Sequence, residues 1–296
     1  MHRRLLALTA ALLTAGCAGH RPAAPTAAAP AARPAANAPA AVPAAVAPPP
    51  APARDASSLR YAAGTSRYRI EQTTHVVQEV MGQTSTVDLT SRQLVSVVAT
   101  EAAGNLALAL TVDSIDISGP AGVDPSALAA ARGRTFQLVL APSGLVVSVA
   151  AADTTNRVVQ QFTSGLRDFF PRIPASASAG ETWTDTVSTS TSGEVAVTTR
   201  AVRQHRVVGW EDKDGVRALH ITSTSNYSVS GSGEAQGQPI EMTGNGQSLR
   251  DAFISAAGVY LGMAERDSAF INANVTSMGL TVPIRQSRRS TVTRLP

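Results

Sequence analysis

The chain has 296 residues, of which 44% are hydrophobic and one is cysteine, so it is long enough to bury a core, and a fold held by disulfides is excluded. Its formal net charge is +4, and the basic residues form no stripe with interleaved aromatic residues. The sequence therefore lacks the basic surface by which nucleic-acid-binding proteins contact phosphate groups.

Residues 1–16 have the pattern of a removable signal peptide. Arg3 and Arg4 form a basic start, and the apolar run after them is shorter than the ~20 residues needed to span a bilayer. Removing these two arginines leaves 23 basic residues against 21 acidic ones. The processed chain is therefore nearly neutral.

The segment LLTAGC, which ends at Cys17, resembles the lipobox of bacterial lipoproteins, in which small residues precede the cysteine. It departs from that pattern at one position. The leucine that usually lies three residues before the cysteine is replaced by Thr14, and Leu13 lies four residues before it. The resemblance implies cleavage before Cys17 and lipidation of its side chain. Ala18, in place of aspartate, resembles the outer-membrane sorting rule, so we expect an outer-membrane lipoprotein on the periplasmic side.

An alanine- and proline-rich linker follows the cysteine, over residues 17–57. Proline prevents helix continuation and alanine offers little surface to bury, so we expect a disordered, extended spacer with polyproline II character. At ~3.1 Å per residue its reach is on the order of 100 Å. A mucin-like segment or a ligand for SH3-like domains is the alternative, because PxxP spacings occur, but such spacings arise by chance in this composition.

The chain after residue 58 has the two-residue periodicity of long β-strands. A first strand ends at Val80, a break follows at residues 81–83, and a turn around Gly104 separates a second strand from a third. This order predicts a three-strand meander. The residues expected on one face of the first strand are Tyr68, Ile70, Gln72, Thr74 and Val76. The residues expected on one face of the third strand are Leu106, Leu108, Leu110, Val112 and Ser114.

A short helix and a hairpin are predicted next. Asp124 is the expected helix cap, Pro125 the first helical residue, and Gly133 the end. In the hairpin, Gly144 lies where the turn needs a positive φ.

A second helix is predicted over about 154–170, where the hydrophobic period changes to three and four residues. We expect its apolar stripe to pack on the sheet rather than on a membrane, and Pro171 and Pro174 to end it. The stripe comprises Val158, Phe162, Leu166, and Phe169 or Phe170. The candidate caps are Asp153, Thr154 and Thr155.

The segments 60–152 and 180–296 resemble two copies of a five-strand unit. In this alignment Gly144 lies opposite Gly258, and Tyr68 and Trp183 begin corresponding strands. Chance similarity between alternating strands is the alternative. The predicted fold is mainly β, with long antiparallel strands in a curved sheet or in a barrel-like or two-sheet arrangement, one amphipathic helix and one short helix.

The sequence GRTFQLVLAPSGLVVSV, followed by a helix and then FFPRIPASASAGETWTDTV, resembles an uncharacterised bacterial lipoprotein family. The shared features are a glycine-led strand, a glycine turn, a helix and a G-x-x-W start to the next strand, and the resemblance covers most of residues 60–295. It implies an exported all-β domain and transfers no catalytic residue.

Patterns typical of catalysis or metal binding are sparse. Ser143 lies outside a G-x-S-x-G elbow, and no H-E-x-x-H motif or Cys/His cluster occurs. His205 and His220 flank a turn and could face each other across a hairpin. A metal would then need a further ligand from Glu211 or Asp212, so we interpret the two as surface strand histidines.

Four large aromatic residues are candidates for lining a hydrophobic ligand cavity, although rings at strand starts more often close the end of a core. They are Tyr68, Trp183, Trp210 and Tyr260.

The last predicted strand carries a basic patch. We interpret it as a charged solvent face or edge protection rather than as a contact with anionic lipid. Its members are Arg285, Arg288, Arg289 and Arg294.

Together these features predict a non-enzymatic, membrane-anchored envelope lipoprotein, without a cofactor or metal, whose β domain binds a hydrophobic ligand or a protein partner. One alternative is an envelope scaffold with no small ligand. The other is a periplasmic hydrolase, which would need a polar cleft with paired carboxylates or a perturbed histidine.

Overall fold

The computed structural model describes residues 59–119, 125–150, 157–174, 176–191, 195–235 and 237–296. The elements are β1 (Gly64–Val80), β2 (Gln83–Ala102), β3 (Asn105–Ser118), α1 (Pro125–Ala131), β4 (Thr135–Leu140), β5 (Val146–Ala150), α2 (Arg157–Leu166), β6 (Thr182–Thr191), β7 (Val195–Lys213), β8 (Val216–Ala235), β9 (Gln238–Ser255), β10 (Tyr260–Val275), a 3-10 turn (Thr276–Met278) and β11 (Leu280–Leu295). Several predicted features lie outside the described residues: the signal peptide, Cys17, the linker, and the caps Asp124, Asp153, Thr154 and Thr155.

The eleven strands of the described residues belong to one antiparallel sheet, in the order β5-β4-β3-β2-β1-β11-β10-β9-β8-β7-β6. Strands that follow one another within β1–β5 and within β6–β11 pair as neighbours, and β1 also pairs with β11 near the middle of the sheet. In the part of the chain that the structure describes, the two edge strands are β5 and β6, which do not pair with each other, so this sheet is not closed. The mainly β prediction is confirmed, with a single sheet rather than two.

The sheet curves around its core. The first hydrophobic cluster joins Leu110 of β3 and Phe136 of β4 to Leu219 of β8 and Ile254 of β9, although these strands lie several positions apart in the sheet. Such residues share a core because the inner face is concave. Helix α2 and the segment after it contribute to the same cluster.

The predicted meander is confirmed as β1, β2 and β3. The expected buried face of β3 continues as far as Val112, but a register shift between Leu94 and Val95 of β2 then interrupts the alternation. Ile115 is therefore buried, and Ser114 is only partly buried.

Helix α1 begins at Pro125 as predicted, but helix α2 ends earlier than predicted, at Leu166. The reason is that the hydrogen bonds tighten to a three-residue spacing, since Asp168 N donates to Gly165 O and Phe169 N donates to Leu166 O. The chain turns at this point, and the phenylalanines that were predicted as helical are buried beyond the helix end.

The two turns that the predicted duplication aligns have the same local geometry. Gly144 has a φ of 83° and donates to Ala141 O, and Gly258 has a φ of 77° and donates to Ser255 O. The two segments contribute five and six strands, and their common origin stays a prediction.

The basic patch of β11 is divided between the two faces of the sheet. β11 lies between β1 and β10 and is not an edge strand, so the interpretation of the basic patch as edge protection is wrong. Arg285 and Arg289 are exposed on the outer face, whereas Arg288 turns inward and lies 3.9–4.0 Å from Asp267 and Glu265.

Candidate ligand-binding site on the inner face

A layer of polar and charged side chains crosses the inner face between two hydrophobic clusters. On β10, Tyr260 belongs to the first cluster and Ile271 to the second, and Glu265 and Asp267 lie between them. The strand alternation turns these two carboxylates inward, because residues two apart share a face. The layer is therefore built into the strands that surround the core.

Three arginines and three carboxylates form the centre of this layer, which we call the ionic layer. Arg203 on β7 donates to the two carboxylate oxygens of Asp168 at 2.5 and 2.6 Å. Arg250 on β9 donates to Asp168 at 3.1 Å and to Glu265 at 2.9 Å. The members are Asp168, Arg203, Arg250, Glu265, Asp267 and Arg288. Their formal charges balance, which is what allows ionised groups to be buried.

The three carboxylates are not electrostatically equivalent. Burial alone would raise the pKa of Asp168, but the charges and hydrogen bonds of Arg203 and Arg250 outweigh it and hold this pKa well below its usual range. The pKa of Glu265 is lowered in the same way, against burial, mainly by Arg250. In contrast, burial dominates at Asp267 and raises its pKa, although Tyr227 donates a hydrogen bond to it at 2.9 Å.

Two small cavities meet at the ionic layer. The larger, about 70 Å³, is lined by apolar residues such as Val229 and Ile271 and by charged ones such as Arg288. The smaller, about 30 Å³, lies beneath the segment after α2. Asp168 and Arg203 line both cavities, so their ion pair lies at the boundary between them.

A hydroxyl, an imidazole and a carboxylate lie together in the wall of the smaller cavity. The Ser223 hydroxyl is 2.7 Å from His205 Nδ1, and His205 Nε2 is 3.4 Å from Asp185 Oδ1 without hydrogen-bond geometry. Trp183 stacks on the His205 ring with centroids 4.8 Å apart. The arrangement has the composition of a nucleophile, a base and an orienting acid.

The two histidines considered as a pair do not meet, and the interpretation of His205 as a surface residue is wrong, because it is buried. His205 lies on the inner face, whereas His220 contacts Asp251 at 3.2 Å and Glu211 at 3.5 Å and stacks on Phe253. A register shift in β7, between Val207 and Gly209, separates their environments. Within the described residues no group of three or more His, Cys, Asp or Glu side chains is arranged to hold a metal ion.

The four predicted cavity aromatics are core or near-core residues. Tyr68 and Tyr260 are buried, their ring centroids are 5.5 Å apart, and Tyr68 donates to the Tyr260 carbonyl at 3.1 Å. Trp183 and Trp210 are partly buried against the first cluster. None of the four lines the two cavities above, and a ligand contact by these rings stays a prediction.

The ionic layer was not predicted, although the strand positions of most of its members carry a signal in the sequence. Arg250 is in phase with Ala252 and Ile254, which are buried on the same strand face. A charged residue in phase with buried apolar neighbours indicates a buried charge that needs a partner. Asp168 carries no such signal, because it lies in an irregular segment.

Within the part of the chain that the structure describes, none of the helices has the length and apolarity needed to cross a bilayer.

No protein-family model and no curated protein matches the sequence. Solved structures that show some similarity include a DUF1329 family protein from Desulfovibrio piger, at 8% identity and a TM-score of 0.18 over 81% of this chain and 85% of that one. A mutant porin from Rh. blastica is 12% identical with a TM-score of 0.22, over 78% of this chain and all of that one. The outer membrane protein OmpT of Vibrio cholerae is 7% identical, with the same TM-score and coverage. At TM-scores this low the likenesses carry no argument about function.

Proposed function

We propose that this protein is a non-enzymatic lipoprotein of the cell envelope that binds an amphiphilic ligand on the inner face of its curved sheet. The observation that supports this most directly is the larger cavity, which lies where the ionic layer meets the second hydrophobic cluster. Its lining combines polar groups, such as Arg288 and the Tyr227 hydroxyl, with the apolar side chains of Val229 and Ile271. A ligand with a polar end and an apolar end satisfies both kinds of wall.

The size of the cavity sets how such a ligand enters. A volume of about 70 Å³ has room for roughly five water-sized groups, which is a head group or a few carbon atoms. A longer apolar chain has to displace side chains that now fill the concavity. The segment after α2 is suited to such displacement, because it belongs to none of the strands.

The attachment to the envelope rests on the sequence. LLTAGC supports acylation of Cys17, and Ala18 supports sorting to the outer membrane. The composition of residues 17–57 predicts an extended linker, which would give the β domain a reach on the order of 100 Å from its anchor. The domain is thereby able to meet a ligand away from the membrane surface.

Mass spectrometry of the chain purified from cell envelopes tests both parts of this proposal. We expect the denatured chain to begin at Cys17 and to carry covalent acyl groups. Under native conditions we expect the mass to increase by about one non-covalently bound amphiphile per chain, because a ligand present well above its Kd saturates its site. Organic extraction then identifies the bound molecule.

Two neighbouring substitutions locate the ligand. Ala201 lines the larger cavity, and Ala201→Phe should fill it and lower the occupancy at least about tenfold, equivalent to 1.4 kcal/mol. Val202 is the next residue and is 49% exposed, so Val202→Phe should leave occupancy unchanged. A wild-type chain without ligand, or equal occupancy in the two variants, would contradict the proposal.

Ester hydrolysis is a second candidate function, favoured by the contact between Ser223 and His205. The smaller cavity beside them also contains Arg172 and Arg250, whose guanidinium groups can stabilise an oxyanion. Its volume of about 30 Å³ makes it the weaker candidate, since a substrate has no room there.

A fluorophosphonate probe separates the two functions. Under the proposed binding function the wild-type chain should remain unlabelled, because Ser223 is then a structural hydrogen-bond partner. Labelling that maps to Ser223 and disappears in Ser223→Ala would establish the hydrolase instead. The Ser225→Ala variant, two positions along the same strand face, is the control for non-specific labelling.

A further inference from the structure

We propose that the ligand of the inner face is an amphiphile with an anionic head, a carboxylate or a phosphate, and that the Asp168 carboxylate occupies the position of this head until the ligand displaces it. This inference rests on the proposed function and specifies its ligand. Asp168 belongs to residues 167–174, which follow α2 into the concavity and which we call the plug segment.

Arg203 determines the charge of the head. Both of its terminal nitrogens bind Asp168, and its side chain is only 17% exposed. If Asp168 leaves, a buried guanidinium loses this partner, which is strongly unfavourable unless another anion replaces it. A carboxylate or phosphate fits the same planar pair of donors.

Arg250 supplies a second set of donors at the same position. Its Nη2 donates to the Asp168 carboxylate at 3.1 Å and to Glu265 at 2.9 Å, and its Nη1 donates to the Asp168 carbonyl at 3.3 Å. Arg250 therefore keeps an anionic partner when the plug segment moves. The two arginines form a preorganised site for one anionic group.

The residues after Asp168 provide the apolar counterpart of a ligand tail. The Phe169 ring lies edge-on to Tyr68 and Tyr260, with 5.5 Å between centroids in each case. Phe170 lines the smaller cavity. An anionic group followed directly by two buried rings has the same order of polarity as the head and tail of an amphiphile.

Displacement of Asp168 also creates space. Its ion pair with Arg203 lies at the boundary between the 70 Å³ and 30 Å³ cavities, so its departure joins them. The plug segment belongs to no strand of the sheet. Its contacts with the rest of the fold include the hydrogen bonds from Tyr61 Oη to Pro171 O and from Ile173 N to Ser143 O, both 2.8 Å. The segment can move without breaking strand pairing.

Three amphiphiles with the same chain test the head group. Decanoate, decyl phosphate and 1-decanol are titrated into the full chain carrying Cys17→Ser, near pH 8, where the decanoate is ionised. Binding is followed by calorimetry and by tryptophan fluorescence. Trp183 is the reporter, because it stacks on His205, which lines the smaller cavity. We expect at least one anionic ligand to bind about tenfold or more tightly than 1-decanol.

Variants test the role of each side chain. Arg203→Gln should abolish the preference for the anionic head. Asp168→Asn removes the internal competitor and should raise the affinity for the preferred anion about tenfold or more. Asp113→Asn, at an exposed carboxylate that contacts Arg67 and Ser96, should change neither result.

Thermal denaturation keeps the test valid when Asp168→Asn is poorly folded. The anionic ligand replaces the missing carboxylate, so it should raise the melting temperature of Asp168→Asn more than that of the wild-type chain. Equal affinity for all three ligands, or an anionic preference that survives Arg203→Gln, would overturn this inference and leave the proposed function intact. Failure of all three ligands to bind wild type and Asp168→Asn would count against the proposed function itself.

Discussion

Replacing Gly258 with alanine should lower the free energy of unfolding by about 3 kcal/mol. Gly258 has a φ of 77°, in the left-handed region that costs an L-residue roughly 1–2 kcal/mol. A Cβ atom here would also lie 2.1 Å from the Arg60 carbonyl oxygen, so the backbone has to move, which adds about 1–3 kcal/mol. The movement also weakens the bond from Ala62 N to Gly258 O, now 3.1 Å. Urea denaturation measures the loss.

Gly215 provides the matched control. Its φ of 79° is nearly the same, but an added Cβ would meet nothing within 4 Å. We therefore expect Gly215→Ala to cost only about 1 kcal/mol, the backbone strain alone. Equal losses in the two variants would show that the contact between this turn and the segment before β1 contributes nothing.

Replacing Asp168 with asparagine should cost about 3 kcal/mol or more at neutral pH, because it leaves Arg203 buried without its bidentate carboxylate. The loss should depend on pH. Since the pKa of Asp168 is lower in the folded chain than in the unfolded one, its stabilisation is fully present above about pH 4 and is lost as the pH falls towards the folded pKa. The difference between wild type and variant should therefore shrink in acid, which denaturant titrations at several pH values will measure.

Asp267→Asn is the contrasting variant in the same ionic layer. Burial raises the pKa of Asp267 in the folded chain, so its ionisation disfavours folding as the pH rises through that value. The neutral side chain of Asp267→Asn removes the cost of burying a charge, and its amide oxygen can still accept the hydrogen bond from Tyr227. We expect a smaller loss at neutral pH than for Asp168→Asn, and a larger loss would mean that contact with Arg288 outweighs the burial of the carboxylate.

The strands could be predicted from the sequence because most of them are long and alternate in hydrophobicity, as β1 does over 17 residues. The error at Ser114 has a physical cause. Leu94 pairs with Ser114 and Val95 with Val112, so Asp113 forms a bulge in β3, and its place depends on the pairing of two strands rather than on a local pattern. The early end of α2 was also not predicted. Its apolar spacing continues to Phe169, and the change in hydrogen bonding after Gly165 leaves no mark on the periodicity.

The candidate site was less predictable than the fold. Glu265 and Asp267 are in phase with Ile271, which shows that they point inward but not what they contact. Their partners come from β9 and β11, and Asp168 comes from a segment beyond the last turn of α2. Such a constellation depends on the order of β7, β9, β10 and β11 in the sheet and on the path of the chain after α2, and no local pattern specifies either.

The pairing of β1 with β11 imposes an order on folding. These strands hold the two ends of the domain, from Arg67 with Leu295 to Gln78 with Ile284, so the contact of largest sequence separation lies near the centre of the sheet. Contacts of this kind form slowly, because the whole intervening chain has to be closed into a loop. A chain that emerges N-terminus first keeps one edge of β1 unpaired until its last sixteen-residue strand arrives. During that interval the exposed edge is open to pairing with other chains.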